Sequence, residues 1–445
     1  MRKYFLFGGQ KMRKNILFSF CFLIMIIIGT STAALAASAA EGEVMLSPGL
    51  QVIAEESSMA MSGIKGNKIS FDSDDFARAM NISKFSSITV TEVPPVTDGE
   101  LLVGSTVVNR GQTISAANLS LMSYNAKSQD IASSYFRFKI GDSAYDIKCD
   151  LYMLDKENHA PTLNMTPTLA LEVSTHRNVS FYGTLGAYDP DGDETIIEVV
   201  SYPSNGVLVI TDRYSGEYTY IPTQNYTGKD SFTYVARDKY GNYSASKTVN
   251  LSVNKPTTSV VYTDMSDSPL YNAALTMTEA GIMSGTQVGE SSYFYPTRTV
   301  SRAEFLVMAM NTIGIKDIPD ASSTVFYDDA DIPGYTKGYV STAYELGYIK
   351  GEYVDGKLCF SPNDPITRAE AAVIVCAMID AATPTVTPVF NDSSEIPAFA
   401  KSAVCSLSYM GILSEQDGNI SANAELTRGE AAQILSLVMQ TVENK

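Results

Sequence analysis

Arg302, Arg368 and Arg428 each stand between a hydroxyl residue and a glutamate. The motifs are Val300-Ser301-Arg302-Ala303-Glu304, Ile366-Thr367-Arg368-Ala369-Glu370 and Leu426-Thr427-Arg428-Gly429-Glu430. Serine or threonine three residues before glutamate is a capping box. The hydroxyl accepts from a backbone N–H one turn into a helix, and the glutamate reaches back. Those two residues therefore have structural work. The arginine does not, because the first helical position lies at the positive end of the helix dipole, where a cation is mildly unfavourable. A guanidinium beside the free N–H groups of a helix start can bind an anion. The plainer reading is three solvated surface arginines.

A second group with chemical potential is Asp189, Asp191 and Asp193, three carboxylates within five residues. Hard oxygen ligands at that density suit Ca²⁺, with Asp230 or Asp238 as further ligands. No glutamate stands at the twelfth place from Asp189, so this is no EF-hand loop, and a solvated Asp/Gly turn is the plainer reading. Catalytic residues are not evident. The two histidines, His159 and His176, sit beside no nucleophile motif, and G-x-S-x-G, H-E-x-x-H and phosphate-loop patterns are absent from the sequence. Any two acids could still meet in space as a glycosidase pair. A wall-anchored polysaccharide hydrolase, or an accessory subunit of one, is therefore the second reading of the chain.

The elements that carry the arginines repeat. From Val261 onward the chain recurs every 60 to 66 residues. Each unit opens with an aromatic-x-Asp triplet: Tyr262-Thr263-Asp264, Phe326-Tyr327-Asp328 and Phe390-Asn391-Asp392. Gly281 and Gly285, then Gly347 and Gly351, follow in the first two copies; the third has Gly411 but Glu415. Phe294-Tyr295-Pro296 and Phe360-Ser361-Pro362 precede the first two arginines, and Ala422 takes the proline's place in the third. Apolar residues then recur at helical spacing, as in Ala371, Ile374, Val375, Met378 and Ile379. A first helix ends near each first glycine, which serves as a C-cap. Each unit thus reads as helix, glycine turn, loop, capped helix. So small a unit must pack on its siblings.

These residues resemble S-layer homology domains, which occur as three tandem copies. The resemblance spans Val261 to about Thr441, roughly two-fifths of the chain. It implies an all-α pseudo-threefold bundle with grooves between repeats. The implied partner is a secondary cell-wall polymer, often ending in a pyruvate ketal, or modified peptidoglycan. By the same resemblance Arg302, Arg368 and Arg428 hold the ligand carboxylate. Asp264, Asp328 and Asp392 bond sugar hydroxyls or orient a groove wall, and Gly285 and Gly351 let backbone approach the sugar. The chain has no tryptophan; Tyr335 and Phe399 fill the family's tryptophan place in copies two and three, and Pro269 in copy one. The third copy's losses mark its groove as the weakest, or as purely structural.

Upstream, Asn158–Val253 shows short alternating runs, Thr195–Val200, Val207–Ile210, Glu217–Ile221 and Ser231–Val235, separated by turn residues. They predict a sandwich of about seven strands. The order from Tyr188-Asp189-Pro190-Asp191-Gly192-Asp193 through Tyr226-Thr227-Gly228 to Asp238 resembles bacterial cadherin-like repeats. Residues 42–154 suggest further strands and loosely resemble extracellular β-sandwich repeats of the proteoglycan type. Within them, Phe71-Asp72-Ser73-Asp74-Asp75-Phe76 could be a helix start or a cation loop, and a solvated turn is the plainer reading. The divisions are 1–39 signal peptide, 40–154 β-rich domain, 155–254 cadherin-like sandwich, and repeats at 255–318, 319–382 and 383–445. The fold class is multidomain, β-sandwiches followed by the helical bundle.

Lys11, Arg13 and Lys14, the apolar run Ile16–Ile28 and the triplet Ala34-Leu35-Ala36 form a secretory signal. Its cleavage removes Arg2, Lys3, Lys11, Arg13 and Lys14 and no acid, taking the formal charge from −17 to −22. So acidic a body disfavours nucleic acid and anionic lipid as general partners. No span long enough for a bilayer follows Ala40. Cys149, Cys359, Cys376 and Cys405 match no metal spacing. An exported chain could pair them, although Cys376 and Cys405 fall on apolar helix faces and read as core residues. The expected location is the cell-wall surface.

Overall fold

A computed structural model describes residues 58–163, 168–316, 318–384 and 388–443. The expected signal segment and Cys21 lie outside the described residues. Among those described, no helix is long and apolar enough to cross a membrane.

The first domain holds β1 (Ser58–Ile64), β2 (Ile69–Ser70), β3 (Ser87–Glu92), β4 (Gly99–Val103), β5 (Thr106–Val107), β6 (Thr113–Ser115), β7 (Met122–Ala126), β8 (Ser133–Ile140) and β9 (Ile147–Leu154). They form two sheets, β1-β9-β8-β3-β6 and β2-β7-β4-β5. Alternation explains the face each strand buries. In β9, Ile147, Cys149, Leu151 and Met153 point inward, meeting Phe136 and Phe138 of β8. The acid-rich stretch is not a solvated turn. Asp72 caps α1 (Ser73–Ala79), accepting from Asp74 and Asp75 N–H groups while the Asp75 carboxylate reaches back. Phe71 and Phe76 then fall into the core.

The second domain opens with the short α2 (Thr168–Leu171). Its strands are β10 (Glu172–His176), β11 (Phe181–Thr184), β12 (Thr195–Ser201), β13 (Gly206–Asp212), β14 (Glu217–Pro222), β15 (Gly228–Asp238) and β16 (Lys247–Asn254). Sheets β10-β16-β15-β12 and β11-β14-β13 enclose Tyr220, Phe232, Tyr234, Val249 and Leu251. Seven strands in two sheets is the sandwich the alternation predicts.

The repeats contribute α3 (Tyr271–Glu279) and α4 (Arg302–Thr312), α5 (Gly334–Glu345) and α6 (Arg368–Ile379), and α7 (Lys401–Tyr409) and α8 (Arg428–Glu443). Gly281, Gly347 and Gly411 take φ of 68°, 75° and 76° just past the first helix of each pair, the left-handed C-cap conformation. The unit is not all-α. Hairpins β17–β18 (Thr286–Val288, Ser291–Tyr293) and β19–β20 (Glu352–Val354, Lys357–Cys359) stand between the glycines and the arginine helix. Their turns need positive φ, supplied by Gly289 and by Asp355-Gly356. Asp417-Gly418 shrinks the same feature to one bridge in the third repeat.

The three units interlock in a ring. Val300 N donates to Leu426 O, Leu426 N to Ile366 O, and Ile366 N to Val300 O, at 3.1, 2.8 and 2.9 Å. All three residues are fully buried. The helix of one unit packs on the first helix of the next: α4 on α5, α6 on α7, and α8 on α3. One continuous apolar core runs through all three. The four cysteines after the signal are free thiols; Cys149, Cys359 and Cys405 are buried and Cys376 half-buried.

Candidate functional site

Ser301 and Thr367 cap their helices as the capping box requires, and Thr427 holds Glu430 in the same way. The helix starts are nevertheless not free anion sites. Arg302 and Ala303 donate their N–H groups to Asp364 O and Pro362 O of the next repeat. Arg368 and Ala369 donate to Ala424 O and Ala422 O, and Arg428 and Gly429 to Arg298 O and Pro296 O. The cap hydroxyl takes the third N–H. The first-turn donors are consumed in joining repeats, so only the guanidinium remains for a ligand.

Each guanidinium crosses into the following repeat, and the three differ. Arg302 Nε donates to Phe360 O at 2.9 Å and Nη1 to Glu370 Oε1 at 2.8 Å. Arg368 donates to Ile420 O, Glu430 Oε1 and Ser414 O at 3.0, 2.9 and 2.6 Å, and is 7% exposed. Arg428 donates to Phe294 O at 2.9 Å and Ser284 O at 2.7 Å, and its guanidinium carbon lies 4.7 Å from the Phe294 ring centroid. Among the described residues it has no carboxylate partner. Glu304, which occupies the place of Glu370 and Glu430, turns Oε1 to Arg298 Nη2 at 3.0 Å. Burial, then the charge of Arg298, hold the Arg428 guanidinium below its ordinary range, against the pull of Glu304.

This handover decides which arginine the third copy's departures meet. Of the third copy's departures, Ile420 and Ala422 accept from Arg368 and Ala369, and Glu415 follows Ser414, another carbonyl on Arg368, while Gly429 stands beside Arg428. The intact Phe294-Tyr295-Pro296 segment of copy one faces Arg428. Tyr295, at φ 57°, stacks its ring on Tyr293 at 5.8 Å and 20°.

The aspartates hold the loops whose carbonyls accept from the arginines. Asp264 accepts from Phe294 and Tyr295 N–H at 2.9 and 2.7 Å, Asp328 from Phe360 and Ser361 at 2.9 and 2.7 Å, and Asp392 from Ile420 and Ser421 at 3.0 and 2.7 Å. Each carboxylate thereby fixes a loop whose second residue has positive φ: Tyr295, Ser361 and Ser421. Gly285 lies against the Tyr262 ring, and Gly351 against Phe326, so both glycines fit the unit's own aromatic residue. Tyr335 and Phe399 are 76% and 67% exposed. Arg298 breaks the repeat, since the same position holds Asp364 and Ala424 in the other copies.

In the middle domain Asp189, Asp191 and Asp193 place ligand atoms within 4.8 Å of one another. Asp189 is 5% exposed. Its Oδ1 accepts from Asp191 and Asp193 N–H groups, while Oδ2 is buried without a partner. An orphaned carboxylate oxygen of this kind is costly unless something positive meets it. The backbone and ring of His159, with Lys156, hold the Asp191 carboxyl at about 2, and Lys239 pairs with Asp193 at 2.9 Å. Asp230 and Asp238 do not belong to that cluster. Their oxygens are taken by Ser204, Asn205 and Tyr220, and by Asn158, Tyr240 and Asn242.

Comparison with known proteins agrees with this architecture. The bacterial cadherin-like domain profile matches residues 158–255, and the S-layer homology domain profile matches residues 261–306, 325–372 and 389–432. The chain is 29% identical over 192 residues to an exoglucanase, XynX, of Acetivibrio thermocellus, covering 42% of this chain and 17% of that one. It is 32% identical over 148 residues to an amylopullulanase of Thermoanaerobacterium thermosulfurigenes, covering 32% and 8%. It is 30% identical over 114 residues to the surface-layer 125 kDa protein of Lysinibacillus sphaericus, covering 26% and 9%. The chain thus spans under a fifth of the length of each of these relatives. Two matched profiles and the ring of repeats agree that the chain carries one bacterial cadherin-like domain followed by three S-layer homology domains.

Proposed function

We propose that the three repeats hold this protein non-covalently on the cell wall by binding an acidic glycan, a pyruvylated secondary cell-wall polymer. The groove between the third and first repeats is the principal site. The observation that carries this reading is the Arg428 guanidinium, which has no carboxylate partner among the described residues while Arg302 and Arg368 have one each. Of its five N–H donors two are used, both by neutral carbonyls, so a ligand carboxylate meets donors that no carboxylate occupies. The Tyr293–Tyr295 stack beside it offers an aromatic face for a sugar ring in place of the missing tryptophan. A charge-assisted hydrogen bond of this kind contributes about 1.5–3 kcal/mol. Weaker engagement of the other two grooves of the same rigid body by a polymer carrying many acidic termini then adds avidity to a modest single-site affinity. Residues 58–254 form the outward spacer or adhesive part.

The test is sedimentation of the full chain with purified walls, before and after the secondary polymer is stripped. Binding should require the polymer, and Arg428→Ala should weaken it about tenfold or more. Undiminished binding to stripped walls, or an Arg428→Ala variant that binds as wild type, defeats the assignment.

We propose further that Asp189, Asp191 and Asp193 hold a Ca²⁺ ion. The support is the buried, partnerless Asp189 Oδ2 amid two other carboxylates. Calcium should raise the melting temperature of the wild-type chain, and Asp189→Asn should remove that rise without lowering the melting temperature in chelator. Equal calcium responses in both proteins argue against the site.

A further inference from the structure

We infer that Arg298 is a positioning residue that keeps Arg428 available by drawing Glu304 away from it. The inference deepens the anionic-glycan reading of the groove between the third and first repeats and rests on it for its biological meaning. Its geometric content stands separately.

The three repeat junctions provide an internal comparison. At two of them the capping-box glutamate uses one carboxylate oxygen for its own helix and gives the other to the arginine of the preceding repeat. Glu370 Oε2 accepts from Thr367 N and Oε1 from Arg302; Glu430 Oε2 accepts from Thr427 N and Oε1 from Arg368. At the third junction Glu304 Oε2 accepts from Ser301 N as expected, but Oε1 goes to Arg298 within its own repeat. The residue in the place of Arg298 is Asp364 where Arg302 meets Glu370 and Ala424 where Arg368 meets Glu430, and neither is a cation. The backbone carbonyls at all three places do the same work, each accepting from the arginine N–H of the preceding repeat. The side chain is therefore what distinguishes this junction.

The consequence is electrostatic. A glutamate oxygen on Arg428 would compete with any ligand carboxylate for the same donors, as Glu370 and Glu430 compete at the other two grooves. Arg298 removes that competitor and adds a second positive charge to the groove. Because the Arg298–Glu304 pair is partly solvent-exposed, replacing it should leave the fold intact. Glutamine at 304 also preserves the capping box.

The experiment uses the full chain with two readouts. The first needs no ligand: NMR titration of the Glu304 carboxyl in wild type, Arg298→Gln, Arg428→Ala and the Arg298→Gln/Arg428→Ala double variant. In the presence of Arg298, removing Arg428 should shift the Glu304 titration little. In the Arg298→Gln background the same removal should move it upward by about half a unit or more, because Glu304 has transferred to Arg428. An equal shift in both backgrounds overturns the inference, whatever the walls do. The second readout is affinity for purified walls that retain their acidic polymer. Arg298→Gln should lower it about fivefold, and adding Glu304→Gln should restore it to within about twofold of wild type. Loss without restoration means Arg298 touches the ligand itself and also overturns the positioning role. A wild-type chain that ignores such walls, together with the expected titration coupling, defeats the glycan reading and leaves the positioning role standing.

Discussion

Arg368 and Arg428 have nearly the same neighbours in sequence and opposite situations in space. Arg368 is closed over by the third repeat, with a carboxylate and two carbonyls on its donors. Arg428 faces the first repeat with carbonyls alone. Truncating Arg368 strands Glu430 Oε1 and two carbonyl groups, so Arg368→Ala should cost about 3–5 kcal/mol of stability. Arg428→Ala should cost markedly less, since no charged partner is abandoned. Urea unfolding of the two variants checks this, and equal losses would show that the ion pair contributes nothing distinctive. The arginines were legible in the sequence because recurrence singled them out. Their targets were not, because spacing within one unit carries no information about which unit the side chain enters. Asp264, Asp328 and Asp392 were legible as recurrent residues for the same reason. Their occupation by backbone N–H groups depends on a loop with positive φ, for which Tyr295 and Ser361 give no warning in residue type.

At the scale of elements, the capped helices and glycine C-caps followed from local rules, and the seven strands of the middle sandwich followed from alternation. The hairpins within the repeats escaped because their strands are only three residues long, too short for a period to show. The turn residues Gly289 and Asp355-Gly356 were their signal in the sequence. The two glycines of the first unit do different work, which a pair of substitutions can separate. Gly281 has φ 68° and open space where a Cβ would stand. Gly281→Ala should therefore cost only the left-handed backbone penalty, about 1 kcal/mol. At Gly285 a Cβ would overlap the Tyr262 ring and approach Tyr293 O at 2.7 Å. Both neighbours are fixed by the core and the hairpin, so Gly285→Ala should cost about 2–3 kcal/mol or more. Differential scanning calorimetry should show the larger fall in melting temperature for Gly285→Ala. The reverse order would mean that the hairpin yields to let the ring move.

The whole molecule is held together by junctions that neither composition nor periodicity announced. Gly241 of the middle domain abuts Ala60 O of the first, and Asn81 donates to Val199 O and Val200 O. At the other end His176, absent from any nucleophile motif, is a structural latch. Its Nδ1 lies 2.8 Å from Asn272 Oδ1 and its Nε2 3.1 Å from Glu279 Oε2, both on the first helix of the first repeat. Asn272 Nδ2 in turn donates to Ser174 O, and Gln440 of the last helix donates to Glu172 O. Glu279 also accepts from Thr257 and Thr258 N–H groups, so it clamps the connecting segment as well. Burial pushes its carboxyl up, but the Thr257 and Thr258 N–H groups and His176 outweigh that and hold it below the usual glutamate range. A carboxyl lowered by folding contributes stability above its unfolded value and loses it as pH falls through the lower folded one. The latch should therefore be intact at neutral pH and open under acid, below the ordinary glutamate range of about 4.3. Limited proteolysis of the segment around Lys255 should be slow at pH 7 and faster as pH drops through that window. Glu279→Gln should make cleavage fast at pH 7 and remove the acid-dependent step. If that variant is cleaved as slowly as wild type at neutral pH, the sandwich is held on the repeats by something other than this carboxylate.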